Sequence, residues 1–600
     1  MAISDTGTTT QLGGARASKA EYGSDLIVEI LADLGIPYLA FNPGSSFRGI
    51  HDSLVNFNLP GVPEMVQCCH EEIAIAVAHG YARATGKMIA TAIHDLVGLQ
   101  HASMAIYNAW CDRIPMLVIG GTGPMNTNNR RNHIDWVHTA LVQGNVVRDF
   151  VKWDDQPTSV SSFPDSIMRA YRLAATEPSA PVYLCFDVDL QEEPITTPMI
   201  LPDKNRFLPP APPAPHPEAL EKAARLLVGA QWPVILADSV GRQHEAVPLL
   251  EQLAELLSAP VVSTGGRFNL ANNHPLNLST AKETALSRAD AVLALDVFDL
   301  CGALGPGISP DRQEDQFIAP GTRIIHISLW DLLQHSLSSD YERLNPVDIA
   351  ITADTRVALP LLTDLCRRQI QADSGSIARI DDRRRAIESL QATLAERRQN
   401  AVRHGWDSMP ITQERLSAEL WEVAKQYPWT FVHGGPRGGG WTITEPDQMC
   451  GGGRGAGLGQ SSGAAVGASL AFKNAGRLCM SLTGDGDMLY APSSLWTASH
   501  MKVPLLTIVN NNRSYGNDEG HQEYLAKVRN RPVENKGVGI YIEDPDTDFV
   551  HLAQSFGVEG LGPVTDPSQL HDVLGRAAEI IMKEQRPVLV DVITQRRGMS

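Results

Sequence analysis

The feature that most restricts the fold of this 600-residue chain is a repeated alternation of short, continuous apolar runs with helical patterns. The alternation recurs in three blocks, with apolar runs at residues 88–95 and 114–121, at 232–239 and 259–265, and at 503–512 and 586–594. Strands that are apolar on both faces are typical of parallel sheets covered by helices on each side. We therefore predict three α/β domains, each built on a doubly wound parallel sheet.

Two segments of unusual composition separate the three blocks. Residues 192–218 are rich in proline, which cannot continue a helix or a central strand, so we predict an extended linker. Residues 373–408 are dense in charge and are predicted to form an exposed helical linker. The predicted domains are therefore 20–191, 219–372 and 409–600, after a lead at 1–19 that is predicted to be disordered.

Composition and charge exclude several classes of function. The formal net charge of −18 argues against a nucleic-acid partner, which requires clustered lysine and arginine. No run approaches the roughly 20 apolar residues that cross a bilayer, and the N-terminus lacks the apolar centre of a secretory signal. The eight cysteines are scattered and are expected to be reduced. We therefore expect a cytoplasmic protein with no membrane partner.

Polar residues follow two strands of the third block. Asp485 lies between Gly484 and Gly486, and Asn510 to Asn512 follow the next predicted strand. In a parallel sheet these strand ends meet at one crevice, where ligands bind. Carboxylate, amide and carbonyl oxygens suit Mg²⁺, which also shares phosphate oxygens. The pattern predicts a magnesium ion that holds a diphosphate, although glycine and asparagine also serve ordinary turns.

The same stretch resembles the "GDG…NN" signature of thiamine diphosphate enzymes. In members that decarboxylate 2-oxo acids, the second metal-binding asparagine lies 27 residues after the aspartate, which here selects Asn512. The resemblance implies Asp485, Asn512 and the Ser514 carbonyl as ligands of Mg²⁺. It also assigns a set of neighbouring residues to the cofactor, namely Gly484, Gly486, Asp487, Tyr515 and Gly516.

Other segments resemble further parts of this family. Residues 71–82 resemble a helix that starts with a glutamate and ends in "GYA", which implies that Glu71 drives the tautomer of the cofactor. Its apolar neighbours are expected to raise its pKa. Leu458 resembles the aliphatic wedge beneath a bent cofactor, and His433 and Gly434 are candidates for diphosphate contacts. Taken singly, Glu71 also fits a helix-start charge and Leu458 a core leucine.

Within the family, the first block is most similar to benzoylformate decarboxylase. Its "NPGS" loop implies that Ser45 contacts the substrate carboxylate, and its spacing implies that His94 transfers protons. The ordinary pKa of histidine suits that role near neutrality, although a strand-end histidine bonded to a loop is an alternative. Arg48 is either a partner for a substrate carboxylate or a solvated helix charge.

Two stretches depart from benzoylformate decarboxylase. Residues 295–305 lack the second active-site histidine, so an aromatic substrate is in doubt, and they do not favour FAD in the middle domain. Residues 517–549 are long and polar and resemble acetolactate-synthase-like members. Loops of this length often act as lids over an active site.

The resemblance implies a thiamine diphosphate- and Mg²⁺-dependent decarboxylase of a 2-oxo acid that works without oxidation. The alternative is an acetolactate synthase-like carboligase that uses an aldehyde or second 2-oxo acid as acceptor and makes a 2-hydroxyketone. A non-catalytic cofactor-binding protein is a remote alternative, because it predicts loss of Glu71 or of the metal ligands. The family also implies a homodimer or homotetramer with active sites at the subunit interface.

Overall fold

Three parallel sheets, one in each block, form the framework of the molecule. The computed structural model describes residues 14–306, 316–333, 344–401, 405–436 and 440–596. Helices cover both faces of each sheet, so the predicted α/β fold with doubly wound parallel sheets is confirmed. No described helix is both long enough and apolar enough to cross a membrane.

The first domain holds a six-stranded sheet in the order β3-β2-β4-β5-β7-β6 with all neighbours parallel. Its central strands are buried along their whole length, which matches their continuous apolar sequence. The strands are β1 (Arg16–Ala17), β2 (Tyr38–Phe41), β3 (Glu64–Gln67), β4 (Ala90–Ile93), β5 (Met116–Thr122), β6 (Asp154–Asp155), β7 (Pro181–Asp187) and β8 (Ile200–Leu201). The helices are α1 (Gly23–Leu34), α2 (Arg48–Asn56), α3 (Glu71–Thr85), α4 (Leu96–Cys111), α5 (Ile134–His138), α6 (Phe163–Ala175) and α7 (Val188–Glu192).

The lead segment differs in part from its prediction. Residues 1–13 lie outside the described part of the chain, but β1 pairs antiparallel with β8 of the proline-rich segment. Arg16 and Ser18 also bond the buried carboxylate of Glu29, each at 2.5 Å. Residues 14–19 are therefore ordered, because a buried carboxylate requires these donors.

The middle domain holds a parallel sheet in the order β10-β9-β11-β12-β13. The strands are β9 (Pro233–Ala237), β10 (Val261–Ser263), β11 (Ala291–Leu295), β12 (Arg323–Ser328) and β13 (Ile349–Thr352). The helices are α8 (Pro217–Gly229), α9 (Ala246–Leu257), α10 (Lys282–Leu286), α11 (Leu300–Leu304), α12 (Thr355–Ala372) and α13 (Ser376–Ala401). Helix α13 is the predicted charged helix, and Arg383 anchors it by donating to the carbonyls of Ala230 and Leu257.

The third domain repeats the pattern with the order β14-β15-β16-β18-β17. The strands are β14 (Trp429–His433), β15 (Leu478–Gly484), β16 (Leu506–Asn511), β17 (Glu559–Val564) and β18 (Val588–Ile593). The helices are α14 (Gln413–Ala424), α15 (Gln460–Ala471), α16 (Asp485–Tyr490), α17 (Ser494–His500), α18 (Gly516–Val528), α19 (Phe549–Ser555) and α20 (Leu570–Glu579).

Helices α3 and α15 join the first domain to the third. Their backbones approach so closely that a Cβ on Gly80 would collide with the carbonyl of Ala464. Glycine is therefore required at this crossing. The contact places the beginning of α3, where Glu71 lies, beside the glycine-rich loop that precedes α15.

Candidate active site

The carboxyl ends of β15 and β16 bring together the residues predicted to bind magnesium. Asp485 is 2% exposed and accepts hydrogen bonds from the amides of Gly486, at 2.9 Å, and Ser514, at 3.2 Å. Asn512 accepts from the same Ser514 amide through its Oδ1, at 3.1 Å. Burial raises the pKa of Asp485, and the backbone amides oppose that shift only in part. The carboxylate, the amide oxygen and the Ser514 backbone therefore lie together.

The three consecutive asparagines have different surroundings. Asn511 donates to the buried Asp591 at 3.0 Å and so serves the sheet itself. Asn510 has a buried Oδ1 with no hydrogen-bond partner among the described residues. Asn512 shares the Ser514 amide with Asp485. The spacing that selected Asn512 in the sequence thus agrees with its position beside the carboxylate.

Other predicted cofactor residues surround this pair. Asp487 accepts from the Gly459 amide at 2.6 Å, which fixes the loop that carries the partly exposed Leu458. A Cβ on Gly486 would collide with the ring of Tyr515, so only glycine fits there. These residues lie at one end of the sheet, together with Gly484 at the end of β15 and Gly516 at the start of α18.

His433 ends β14 and Gly434 follows it at the same edge. Burial lowers the pKa of His433 to about 4, so the ring is neutral at pH 7. Its buried Nδ1 has no hydrogen-bond partner in the described part of the chain. Such unpartnered polar atoms are rare in proteins and indicate a place for a polar ligand.

Glu71 is the first residue of α3 and is 5% exposed. Asn42 Nδ2 donates to its Oε1 at 2.9 Å, and His101 Nδ1 lies 3.3 Å from its Oε2. Burial raises the pKa of Glu71, but the hydrogen bonds from Asn42 and His101 outweigh burial, and the net pKa is lowered. The expectation of a raised pKa was therefore wrong, because the sequence did not show these two donors.

His94 follows β4 and has a defined orientation. The Ser46 hydroxyl accepts from the amide of Asp95 at 3.0 Å, so its own proton is free to donate to His94 Nδ1, 2.9 Å away. The other nitrogen, Nε2, then carries the imidazole proton. It lies 3.4 Å from Asp95 Oδ2 and 3.4 Å from His138 Nδ1.

Asp95 lies between two histidines and is almost fully buried. Its Oδ1 is 3.5 Å from His138 Nδ1, and burial raises its pKa to about 7. Burial also lowers the pKa of His94, and the adjacent His138 lowers it further. The Ser46, His94, Asp95 and His138 side chains thus form a connected polar cluster.

Ser45 and Arg48 have partners outside this cluster. Arg131 Nη2 donates to Ser45 Oγ at 3.3 Å and is itself paired with Asp135 at 2.7 Å. Arg48 is exposed and binds Glu192 through two hydrogen bonds of 2.5 and 2.9 Å. The structure therefore places Ser46, rather than Ser45, against His94.

Sequence comparison agrees with this geometry over most of the chain. Residues 22–142, 220–362 and 439–592 match the thiamine pyrophosphate enzyme N-terminal TPP binding domain, central domain and C-terminal TPP binding domain, respectively. The chain belongs to the thiamine pyrophosphate enzyme family. Thiamine pyrophosphate is the same compound as thiamine diphosphate, so the resemblance noted in the sequence is confirmed.

Relatives of this thiamine pyrophosphate enzyme have more than one activity. This chain is 24% identical in sequence to acetolactate synthase from Bacillus subtilis, over 95% of this chain and 92% of the relative. It is also 24% identical to benzoylformate decarboxylase from Pseudomonas aeruginosa, over 94% of this chain and 98% of the relative. The solved structure of benzoylformate decarboxylase from Polynucleobacter necessarius superposes with a TM-score of 0.73 at 19% identity, covering 96% of this chain and 99% of that one. The last comparison shows the shared fold.

The donor set of this thiamine pyrophosphate enzyme fits the cofactor of its family. Asp485, Asn512 and the Ser514 carbonyl are hard oxygen donors suited to Mg²⁺. The unpartnered Nδ1 of His433 and the open space beside Gly484 suit a diphosphate nearby. The residues at the carboxyl edge of the third sheet therefore fit the diphosphate end of the cofactor.

The sequence did not indicate six residues of the site, of which Asp95 follows His94 and Arg131 precedes α5. Asn42 and Ser46 lie in the loop after β2, His101 lies on α4, and His138 ends α5. Asn42 and Ser46 lie in residues 41–46, the stretch that resembles the "NPGS" loop and contains Ser45. A search of this stretch for partners of Glu71 and His94 could have found them. His138 had no such signal, since the path of residues 123–147 is irregular.

Proposed function

We propose that this protein is a thiamine diphosphate- and Mg²⁺-dependent decarboxylase of a 2-oxo acid. The observation that carries the proposal is the orientation of His94 by Ser46 on the same sheet edge as Glu71. A decarboxylase must deliver a proton to the carbon that loses carbon dioxide. Ser46 orients the His94 ring, and burial lowers the pKa of His94, so its protonated form is a stronger acid than free imidazolium.

Glu71 and the third-domain residues hold the cofactor in this proposal. When bound, thiamine diphosphate supplies a carbanion that adds to the 2-oxo carbonyl and accepts the electrons released with carbon dioxide. Asp485, Asn512 and the Ser514 carbonyl hold the magnesium ion. Asn42 fixes the carboxyl group of Glu71, which would bond the pyrimidine ring and favour its active tautomer. Leu458 would pack against the cofactor.

The substrate carboxylate is assigned to Ser45 and Arg131. Arg131 Nη2 already contacts Ser45 Oγ, and a guanidinium with a hydroxyl suits a carboxylate. The Arg48 guanidinium is satisfied by Glu192 in an exposed pair, so Arg48 is omitted from the site. Of its two sequence interpretations, the solvated helix charge fits this contact.

Asp95 and His138 return a proton to His94 after each turnover. Asp95 lies within 3.5 Å of both rings, and a carboxyl group with a pKa of about 7 is protonated in part at neutral pH. His138 thereby replaces the second histidine that residues 295–305 lack.

A carboligase is the second candidate, and residues 517–549 favour it. The buried Glu519 accepts from the Ser514 hydroxyl at 3.0 Å, and the Tyr515 amide donates to Ile540. This polar segment therefore packs directly on the loop that carries Ser514 and Tyr515. Its sequence also resembles that of acetolactate synthase-like members. In this case an acceptor aldehyde or 2-oxo acid takes the place of the proton from His94.

We further propose a homo-oligomer whose active sites lie between subunits. Leu458 is 39% exposed and Tyr490 is 58% exposed in the single chain, although both lie near the assigned diphosphate edge. A second copy of the chain would cover them. Light scattering of the purified protein, with and without cofactor, tests this directly.

The test of the function is product analysis with a panel of 2-oxo acids, thiamine diphosphate and Mg²⁺. We expect carbon dioxide together with the aldehyde one carbon shorter than the substrate. A 2-hydroxyketone that forms in preference to the free aldehyde would replace the decarboxylase proposal with the carboligase. No carbon dioxide from any 2-oxo acid would contradict both candidates.

A further inference from the structure

A cavity of about 510 Å³ lies between the first and middle domains. Its first-domain wall is made by the segments that precede the strands, including residues 34–37, 86–88 and 113–115. Its middle-domain wall includes Arg242 and Arg267, which follow β9 and β10. The cavity therefore opens at the amino edge of the first sheet, opposite the edge that carries Glu71 and His94.

The charges around this cavity do not balance. Five cationic side chains line it, against one carboxylate, Glu177; the cations are Arg83, Lys87, Arg113, Arg242 and Arg267. Asp112 pairs with Arg83 and Asp296 pairs with Arg113, which raises the number of carboxylates to three. Two positive charges remain without a counterpart.

Arg113 and Arg242 compete for the same two carboxylates. Arg113 bonds Glu177 at 2.8 Å and Asp296 at 2.9 Å, whereas Arg242 Nη2 reaches these groups only at 3.3 and 3.6 Å. Arg242 is 8% exposed, yet its Nε and Nη1 have no hydrogen-bond partner among the described residues. A buried guanidinium with two unsatisfied nitrogens is costly, so the site is incomplete as it stands.

Arg267 and Lys87 supply the surplus charge. Burial lowers the pKa of Arg267 well below its usual value, and the neighbouring Arg83 lowers it further. Among the described residues, its guanidinium donates one hydrogen bond, to the Arg83 carbonyl at 3.4 Å. Lys87 is exposed at the rim and makes no ion pair within the described part of the chain. An anion in the cavity would relieve this repulsion.

We propose that this cavity binds a small phosphate-bearing anion. Guanidinium groups match phosphate oxygens in geometry, and four of the five cations are arginines. A phosphate monoester carries about −1.5 to −2 charges at pH 7, which offsets the two unbalanced positive charges. Tyr81 and Tyr171 on the wall offer aromatic faces for an organic group attached to the phosphate.

This site is separate from the catalytic centre and does not depend on the proposed substrate. Arg83 lies in the last turn of α3, about 18 Å along the helix from Glu71. Arg83 also donates to the Cys450 carbonyl of the third domain. A ligand in the cavity therefore contacts the far end of the helix that carries Glu71.

Calorimetric titration of the holoenzyme tests the proposal, with thiamine diphosphate and Mg²⁺ kept saturating so that probes cannot bind at the cofactor site. The probes are inorganic phosphate, ADP and citrate. Arg242→Gln removes the buried cation that has two unpartnered nitrogens, and Lys87→Gln removes the exposed cation at the rim, where folding is not at risk. Arg225→Gln is the matched control, because Arg225 is an exposed middle-domain arginine away from the cavity.

We expect phosphate or ADP to bind the wild-type protein and the Arg225→Gln control equally. Binding should weaken about tenfold in Arg242→Gln and about threefold in Lys87→Gln. Tighter binding of ADP than of phosphate would identify an organic phosphate as the ligand, and equal binding would identify phosphate itself. The proposal fails if neither binds, if citrate binds tightest, or if Lys87→Gln and Arg242→Gln bind as the control does.

Discussion

The Ser46 hydroxyl accepts from the Asp95 amide and lies 2.9 Å from His94 Nδ1, where donation of its proton favours the tautomer with the imidazole proton on Nε2. Ser46→Ala should therefore lower kcat by about tenfold to a hundredfold, with little change in KM. Ser45→Ala is the matched variant one residue away, and we expect it to raise KM through the substrate carboxylate. Steady-state kinetics on the best 2-oxo acid separate the two. Equal effects of both variants on kcat and KM would contradict the assigned roles.

Asp95 should make stability depend on pH. Its folded pKa of about 7 exceeds the unfolded value of 3.8, so the carboxyl group costs stability increasingly as the pH rises from about 4 to about 7. Asp95→Asn removes this cost. We compare the free energy of unfolding of the variant with that of wild type. We expect this difference to shift by about 2–3 kcal/mol in favour of the variant between pH 5 and pH 8.

Urea unfolding in cofactor-free buffer at both pH values measures this difference. Asp52→Asn, at an exposed position of α2, is the control. A stability difference between Asp95→Asn and wild type that is the same at pH 5 and pH 8 would show that Asp95 is ionised throughout this range.

At the scale of secondary structure, the α3–α15 crossing should tolerate no side chain at Gly80. Gly80→Ala would place a methyl group on the Ala464 carbonyl and push the helices apart. We expect a loss of about 1–3 kcal/mol, seen as a lower Tm. Gly229→Ala at the end of α8 has open space and should leave Tm unchanged or slightly higher. An equal Tm for both variants would contradict the close approach.

The strands and the residues at their ends could be predicted from the sequence. Continuous apolar strands such as β5 and β16 indicate parallel sheets. The residues that follow the strands of one such sheet must lie at its carboxyl edge. Asp485 and Asn512 were therefore predictable as neighbours. Asn42, His101 and His138 were not, because they approach Glu71 and His94 through loops and helix faces that have no periodic pattern. The lowered pKa of Glu71 was missed for the same reason.

At the scale of the whole molecule, Arg454 connects three domains. Its amide donates to Asp112 at 3.0 Å, and its guanidinium bonds Asp238 and Ser239, each at 2.7 Å. Arg454→Met should cost about 3–5 kcal/mol, because it leaves buried Asp238 without its cation. It should also weaken cofactor binding, since Leu458 follows in the same loop.

Thermal unfolding and titration with thiamine diphosphate measure these two effects of Arg454→Met. Arg586→Met, at a half-exposed arginine of the third domain, is the control and should change neither quantity appreciably. Unchanged stability together with unchanged cofactor affinity in Arg454→Met would show that the three domains hold together without this contact.

The central claim is that Glu71 activates a thiamine diphosphate bound at the Asp485 edge for decarboxylation of a 2-oxo acid. The most direct test is the rate of carbon dioxide release by wild type and Glu71→Gln, measured beside cofactor affinity. We predict a rate about 10²–10⁴-fold lower in the variant, with Mg²⁺-dependent cofactor binding largely retained. A variant that releases carbon dioxide at the wild-type rate would contradict the account.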